Sequence, residues 1–248
     1  MHTSKWLSLL ALLLLLQGCV TDDPAQSKNV KASAINVQLG IGYLEQNDLN
    51  LANEKLLKAL RQDPDSAPAH NAYAILQDRL QQLDVAEYHY KEAVKLDPKD
   101  SQAANNYGAF LCRNGRARES EEYFLQALKN PLYKTPEYAY TNAALCLKKI
   151  NQIVTAREYL LKALAVKSDF PVALFVLSEI YFEEGDFAKA RFYLGRYHLV
   201  ANPTAKSLWL LIRTDLELDN ASNVDELVLR LQTDFPESKE YQFWLEIQ

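Results

Sequence analysis

Residues 98–131 read PKDSQAANNYGAFLCRNGRARESEEYFLQALKNP. Apolar residues in this stretch follow the i, i+3, i+4, i+7 spacing of a helix. Prolines stand at both ends, where they lack an N–H and disfavour helix at the preceding residue. Small residues at 108, 120 and 127 accompany the larger Tyr107 and Phe124. Small side chains let two helices approach closely and large ones fill the space between them, so the stretch predicts a closely packed helix pair.

The same pattern recurs along the chain with a period near 34 residues. Prolines at 64, 98, 131, 136, 171, 203 and 236 are separated by 34, 33, 5, 35, 32 and 33 residues. A period of 34 in a helical chain is typical of tetratricopeptide repeats. Six units begin at Ser33, Ala67, Ser101, Glu137, Pro171 and Ala205, with a two-residue insertion around 131–136. We therefore predict an all-α, right-handed superhelical solenoid of six such repeats over 33–236, closed by a C-terminal helix at 237–248.

Composition supports a helical chain and argues against several functions. Only 7 of 248 residues are glycine, too few for the tight turns of β-sandwiches and barrels. The formal charge of −5 disfavours nucleic-acid binding. No Gly-rich phosphate loop, catalytic constellation or metal-ligand spacing is evident, and His70 and His89 are expected to pack or to lie at a rim. We predict no enzyme activity, no cofactor, no metal and no small-molecule substrate.

Two features leave alternatives open. A solenoid needs covered ends, and Tyr241, Trp244 and Leu245 are predicted to cover the last unit, although they could bind a partner instead. Cys112 and Cys146 fall at positions 12 and 10 of their units, on different sides of a helix. A disulfide needs Cα atoms within about 7 Å, so we favour free thiols, with a disulfide as the alternative.

The concave surface of the solenoid is the expected binding surface for a peptide segment. Its candidate residues lie on the first helices of units one to four. Unit one supplies an apolar stripe, the asparagines suit a peptide backbone, and the basic residues at position 13 suit an acidic segment. The candidates are Val37, Ile41, Leu44, Asn71, Arg79, Asn105, Asn106, Arg113, Asn142 and Lys149. Phe175, Phe182 and Trp209 extend the surface in units five and six.

The N-terminal sequence predicts a secretory signal peptide and a lipid attachment site. Residues 1–18 carry Lys5 and then an apolar run that is too short to span a bilayer, as in a secretory signal peptide. Leu16-Gln17-Gly18-Cys19 resembles a bacterial lipobox. This implies acylation of Cys19, with palmitate as the expected chain, and Val20 implies sorting to the outer membrane. An ordinary cleaved signal is the alternative. The polar, aperiodic segment 19–32 is predicted to be a flexible tether.

Three stretches resemble type IV pilus biogenesis lipoproteins of the PilF and PilW type, which are tetratricopeptide repeat proteins. They are QLGIGYL (38–44), LDPKDSQAANNYGAFLC (96–112) and NPLYKTPEYAYTNAALC (130–146). The resemblance implies a pilotin, which is lipid-anchored at the periplasmic face of the bacterial outer membrane. It would bind the type IV pilus secretin and promote its outer-membrane localisation and multimerisation. The alternative is a general envelope adaptor for peptidoglycan enzymes or outer-membrane assembly factors.

Overall fold

The computed structural model describes residues 24–247, and within that range it contains thirteen α-helices and no strand. The helices are α1 (Pro24–Glu45), α2 (Leu49–Gln62), α3 (Ala67–Arg79), α4 (Leu83–Leu96), α5 (Ser101–Arg113), α6 (Ala117–Leu128), α7 (Pro136–Lys149), α8 (Ile153–Val166), α9 (Pro171–Glu183), α10 (Phe187–Val200), α11 (Ala205–Glu217), α12 (Ala221–Asp234) and α13 (Lys239–Glu246). The first twelve form six antiparallel pairs that correspond to the six predicted units. The predicted all-α solenoid is confirmed.

The turn inside each pair has the same backbone geometry in all six units. The N–H of position 16 donates to the carbonyl oxygen of position 11 at 2.9 Å in every unit, which is the long hydrogen bond of a Schellman motif. Position 15 between them takes a positive φ of 53–79°. The residues at position 15 are Asn47, Gln81, Gly115, Asn151, Gly185 and Asp219. The unit boundaries predicted from the prolines therefore agree with the positions at which the backbone geometry repeats.

Small residues lie where helices come closest, as predicted. Ala52, Ala86 and Ala156, all at position 20, are fully buried. At position 8, a Cβ added to Gly40 would lie 2.5 Å from Leu56 Cγ, and one added to Gly108 would lie 2.8 Å from Phe124 Cε1. These distances are shorter than van der Waals contact, so the absence of a side chain at position 8 sets the spacing of the helix pair in units one and three.

The stack is curved, with the first helices of the units on the concave side. Within residues 24–247, each first helix contacts the first helix of the next unit, from α1 against α3 to α9 against α11. Successive second helices, such as α2 and α4, make no such contacts with each other. Since neighbours are close on one side and splayed on the other, the first helices line an inner groove.

The first helix begins earlier than the sequence indicated. Residues 24–32 were assigned to a flexible tether, but α1 starts at Pro24, and only 19–23 of the tether lie outside the described residues. Ser33 Oγ donates to the Ala59 carbonyl oxygen at 3.0 Å, and Asn36 Nδ2 donates to Gln62 Oε1 at 2.8 Å. These bonds fix α1 against α2. Residues 26–31, which precede Ser33 in α1, are exposed, and their polar side chains show no periodicity because they bury no face.

The two cysteines form a disulfide, so the prediction of free thiols is wrong. Their Cα atoms are 5.7 Å apart, and the bridge joins α5 to α7. Stacked first helices are related by translation, so facing side chains come from opposite sides of the two helices. Positions 12 and 10 differ by two residues, or about 200° around a helix. The opposite orientations that argued against a bridge are therefore what this bridge requires.

The C-terminal helix α13 packs on the last unit. Tyr241 and Trp244 lie against the apolar cluster of α11 and α12, which includes Leu208 and Leu231, so these two aromatics cap the solenoid as predicted. Leu245, the third predicted cap residue, remains 49% exposed. It lies on the outer side of a helix that is only eight residues long, whose inner side is occupied by the two aromatics.

Candidate protein-binding groove

Three clefts lie along the inner face of the solenoid. Two of them, of about 430 Å³ each, are adjacent and share Ala109 and Arg113 on α5. The third, of about 420 Å³, lies between units five and six. Five of the predicted groove residues line the first two clefts, namely Arg79, Asn106, Arg113, Asn142 and Lys149.

The cleft between units two and three is rimmed by arginines that bond to the preceding unit. Arg79 Nη1 donates to the carbonyl oxygen of Leu44 at 2.6 Å. Arg113 Nη2 forms an ion pair with the carboxylate of Asp78, one unit back. Both arginines occupy position 13 and both acceptors occupy position 12. The predicted basic row therefore has a structural role between repeats, while the Arg113 side chain stays 53% exposed to the groove.

The cleft between units three and four combines an apolar floor with a basic rim. Ala109, Cys112, Phe124 and Leu145 form the floor. The rim consists of Arg113, Lys148, Lys149 and the carboxamide of Asn142. Such a cleft can take up an apolar side chain and place cations beside an acidic group next to it. The disulfide holds the two first helices that form its walls.

The predicted groove asparagines of neighbouring units form hydrogen bonds with one another. Asn106 Nδ2 donates to Asn71 Oδ1 at 3.1 Å, and Asn142 Nδ2 donates to Asn105 Oδ1 at 3.0 Å. Asn105 is only 5% exposed, so the prediction that it contacts a peptide is wrong. A carboxamide has two donors and two acceptor lone pairs, and the half-buried Asn142 lines the second cleft. The row thus links neighbouring first helices and retains hydrogen-bonding capacity at its edge.

The apolar stripe predicted for unit one is largely core. Val37 and Leu44 are 5% and 4% exposed, and they pack with Leu76 and Ala69 of unit two. Only Ile41, at 41%, is accessible. The prediction is therefore wrong for Val37 and Leu44, because the next unit buries residues that unit one by itself would leave open.

The third cleft is aromatic and has mixed charge. Phe182 and Trp209 line it, as predicted, and the guanidinium of Arg213 lies 4.4 Å from the centre of the Phe182 ring. The carboxylate of Glu179 forms ion pairs with Lys206 Nζ at 2.5 Å and with Lys148 Nζ at 3.3 Å. Phe175 is not among the lining residues and instead packs against Tyr197 in a tilted arrangement, with the ring centres 5.4 Å apart.

Sequence reasoning missed the acidic and basic residues at position 12. Asp78 and Lys148 line the first and second clefts and pair with neighbouring units. The available signal was that positions 12 and 13 are both charged, in Asp78-Arg79 and in Lys148-Lys149. Because positions 12 and 13 lie about 100° apart on a helix, both can border one groove.

His70 and His89 pack against each other, as expected for a packed or rim role. His70 Nε2 is 2.9 Å from the Pro64 carbonyl oxygen, and the two Nδ1 atoms are 2.9 Å apart. Because Nε2 of His70 must donate to the carbonyl, its Nδ1 accepts from His89 when both rings are neutral. Burial, followed by the proximity of His70, lowers the pKa of His89 to about 4. Across residues 24–247, no three His, Cys, Asp or Glu side chains are grouped to hold a metal ion.

The sequence is similar to tetratricopeptide repeat proteins, including one from a type IV pilus system. A sequence model of the tetratricopeptide repeat matches residues 37–101 and 141–206, and a second such model matches 89–122. The chain is 29% identical over 232 residues to the type IV pilus assembly protein PilF of Pseudomonas aeruginosa, covering 92% of each chain.

Two solved structures share both fold and sequence with it. The structure of Pseudomonas aeruginosa PilF superposes with a TM-score of 0.82 at 28% identity, covering 89% of this chain and all of that one. The structure of PilW, described as a widely conserved type IV pilus biogenesis factor, gives 0.78 at 33% identity, covering 86% and 98%. No helix in the described part of the chain is long and apolar enough to cross a membrane.

Proposed function

Because this chain belongs to the tetratricopeptide repeat family and is a PilF/PilW-like type IV pilus biogenesis protein, we propose that it is a pilotin for the pilus secretin. In this role it is an outer-membrane lipoprotein, not an enzyme, that binds secretin subunits and promotes their localisation and multimerisation. The observation that carries the proposal is the match to PilF, which extends over 92% of both chains.

The concave groove is the proposed secretin-binding surface. The cleft between units three and four has an apolar floor and three cations at its rim. This combination favours a segment in which an apolar side chain lies beside acidic residues. Arg113 is ion-paired with Asp78, and Lys148 is ion-paired with Glu179 and Glu183. The exposed Lys149 is therefore the rim cation proposed to meet the acidic group of the segment.

Lipid on Cys19 is the proposed anchor. The sequence Leu16-Gln17-Gly18-Cys19 supports this, and these residues lie outside the described part of the chain. Several acyl chains on one residue give stable attachment, since each buried CH₂ contributes about 0.8 kcal/mol. Attachment at the periplasmic face of the outer membrane confines bound secretin subunits to one surface, which raises their effective concentration for ring assembly.

A Cys19→Ala strain tests the anchor. The variant solenoid should fold, while the secretin should lose its outer-membrane position and its multimers. Fractionation of the envelope followed by detection of heat-resistant secretin multimers gives the readout. Normal secretin rings in the outer membrane of this strain would contradict the proposed mechanism.

A charge reversal at the rim tests the groove. Lys149→Glu should reduce recovery of the secretin in a pull-down from envelope extracts, because it places a carboxylate beside the proposed acidic segment. Lys162→Glu, on the second helix of the same unit, is the matched control and should leave recovery unchanged. Recovery of peptidoglycan hydrolases or barrel-assembly proteins in place of a secretin would favour the adaptor function.

A further inference from the structure

The N-terminal end of the solenoid exposes a face that the later units largely bury. Position 3 is Ala or Ser in units two to six and is 0% exposed in each of them. In unit one it is Ile35, which is 59% exposed. Position 7 is fully buried at Tyr107 and Leu177, but Leu39 in unit one is 45% exposed. The preceding unit covers these two positions elsewhere, and none stands before α1 in the described chain.

Two cations lie on the same stripe of α1. Lys28, Lys31, Ile35 and Leu39 are spaced by three, four and four residues, which places them on one side of a helix. All four are exposed. We call this stripe the N-terminal face. It combines two large apolar side chains with two ammonium groups and contains no carboxylate.

The N-terminal face is close to Cys19 along the chain. Pro24, where α1 begins, is the fifth residue after Cys19, and five residue steps of fully extended chain span at most about 18 Å. Along the helix, Ile35 and Leu39 lie about 16 and 22 Å beyond Pro24. Both side chains can therefore reach a surface to which Cys19 is attached if α1 lies along that surface.

We propose that the N-terminal face docks on a phospholipid surface, with α1 lying along the bilayer. This inference rests on the lipid anchor of the proposed function. Ile35 and Leu39 enter the boundary between headgroups and acyl chains, while the lysine stems extend so that the ammonium groups reach anionic phosphates. The lipid then holds the solenoid in one orientation instead of acting as a loose tether.

The experiment uses the acylated full-length protein on vesicles of phosphatidylethanolamine and phosphatidylglycerol. Nitroxide labels are introduced singly by Ile35→Cys and Leu39→Cys. Val154→Cys on α8 and Leu229→Cys on α12 are matched controls, since these side chains are 60% and 63% exposed. The collision rate of each label with membrane-soluble oxygen is compared with its collision rate with a water-soluble nickel chelate.

The expected result is a several-fold higher ratio of oxygen to nickel collisions at residues 35 and 39 than at the controls. Lys28→Gln and Lys31→Gln should each lower the ratio of docked to undocked molecules about fivefold at low salt, since one lysine near an anionic surface contributes about that factor. Replacing the lipid by phosphatidylcholine alone should act in the same direction.

Three outcomes overturn the inference and differ in what else they affect. If the protein floats with the vesicles but all four labels behave alike, docking is wrong while the anchor stands. If labels 35 and 39 become immobile without vesicles as protein concentration rises, the face binds a second copy. If the protein does not float at all, the lipoprotein part of the proposed function fails together with this inference.

Discussion

Adding one methyl group at Gly108 should loosen the helix pair at the centre of the groove. The Cβ would lie 2.8 and 2.9 Å from two atoms of the Phe124 ring and 3.1 Å from the backbone oxygen of Ser120. Ordinary contact begins near 3.4 Å, so the ring would have to move by about 0.6 Å. Phe124 is fully buried and has no solvent to move into.

The magnitude follows from two opposing effects. Overpacking of this kind costs about 1–3 kcal/mol, whereas Gly→Ala inside a helix contributes about 0.5–1 kcal/mol of stability. We expect Gly108→Ala to lower the free energy of unfolding by about 1–2 kcal/mol. Since Phe124 also lines the cleft between units three and four, the variant should weaken partner binding as well.

Gly195→Ala is the matched control. Gly195 lies inside α10, and no neighbouring atom lies within 4 Å of the Cβ position. In this variant the free energy of unfolding should rise by about 0.5–1 kcal/mol, because only the helix propensity changes. The difference between the two variants therefore isolates the steric cost.

Urea titration followed by far-ultraviolet circular dichroism measures both variants. Because stacked repeats can unfold in parts, amide hydrogen exchange of α5 and α6 should accompany the titration, and these helices should exchange faster in Gly108→Ala. If Gly108→Ala raises the unfolding midpoint as Gly195→Ala does, then position 8 does not set the helix spacing and the packing argument fails.

Further predictions concern the turns, the histidine pair and the disulfide. Gln81→Gly should raise the free energy of unfolding by about 0.5–1 kcal/mol, since residue 81 has a φ of 59°. Gly185→Ala, at a φ of 78°, should lower the free energy of unfolding by about 1 kcal/mol. Equal urea midpoints for the two variants would contradict both expectations. The pKa of His89 is about 4 in the folded protein against 6.5 when unfolded, so the unfolded chain binds more protons as pH falls from 6.5 towards 4. Stability should decrease across that window by about 1–2 kcal/mol after allowance for partial exposure, and His89→Gln should remove that part of the pH dependence; an unchanged profile in the variant would show that other groups cause it. Replacing both Cys112 and Cys146 by Ala opens a loop of 34 residues and should lower the free energy of unfolding by about 3–4 kcal/mol. Thermal unfolding of the variant, and of the unaltered protein with and without reductant, would measure this loss. If reductant does not shift the midpoint of the unaltered protein, that would argue against the bridge.

The candidate site was only partly predictable. Arg79, Arg113, Asn142 and Lys149 were found from their positions in the repeat, and all four line clefts of the groove. The same reasoning could not find that Arg79 bonds the carbonyl oxygen of Leu44. Such pairs join residues about one repeat apart, and their occurrence depends on how far one unit rotates relative to the next.

The sequence by itself determined the helical content, the number of units and the close packing at Gly40 and Gly108. These properties arise within a unit, from apolar spacing over a few residues, from prolines that end helices and from small residues at fixed positions. Only the tertiary structure decided that Val37 and Leu44 are core, that Ile35 is exposed and that Cys112 meets Cys146. Burial at the edge of a unit depends on what stacks against it, and that neighbour lies about 34 residues away or, before α1, is absent from the described chain.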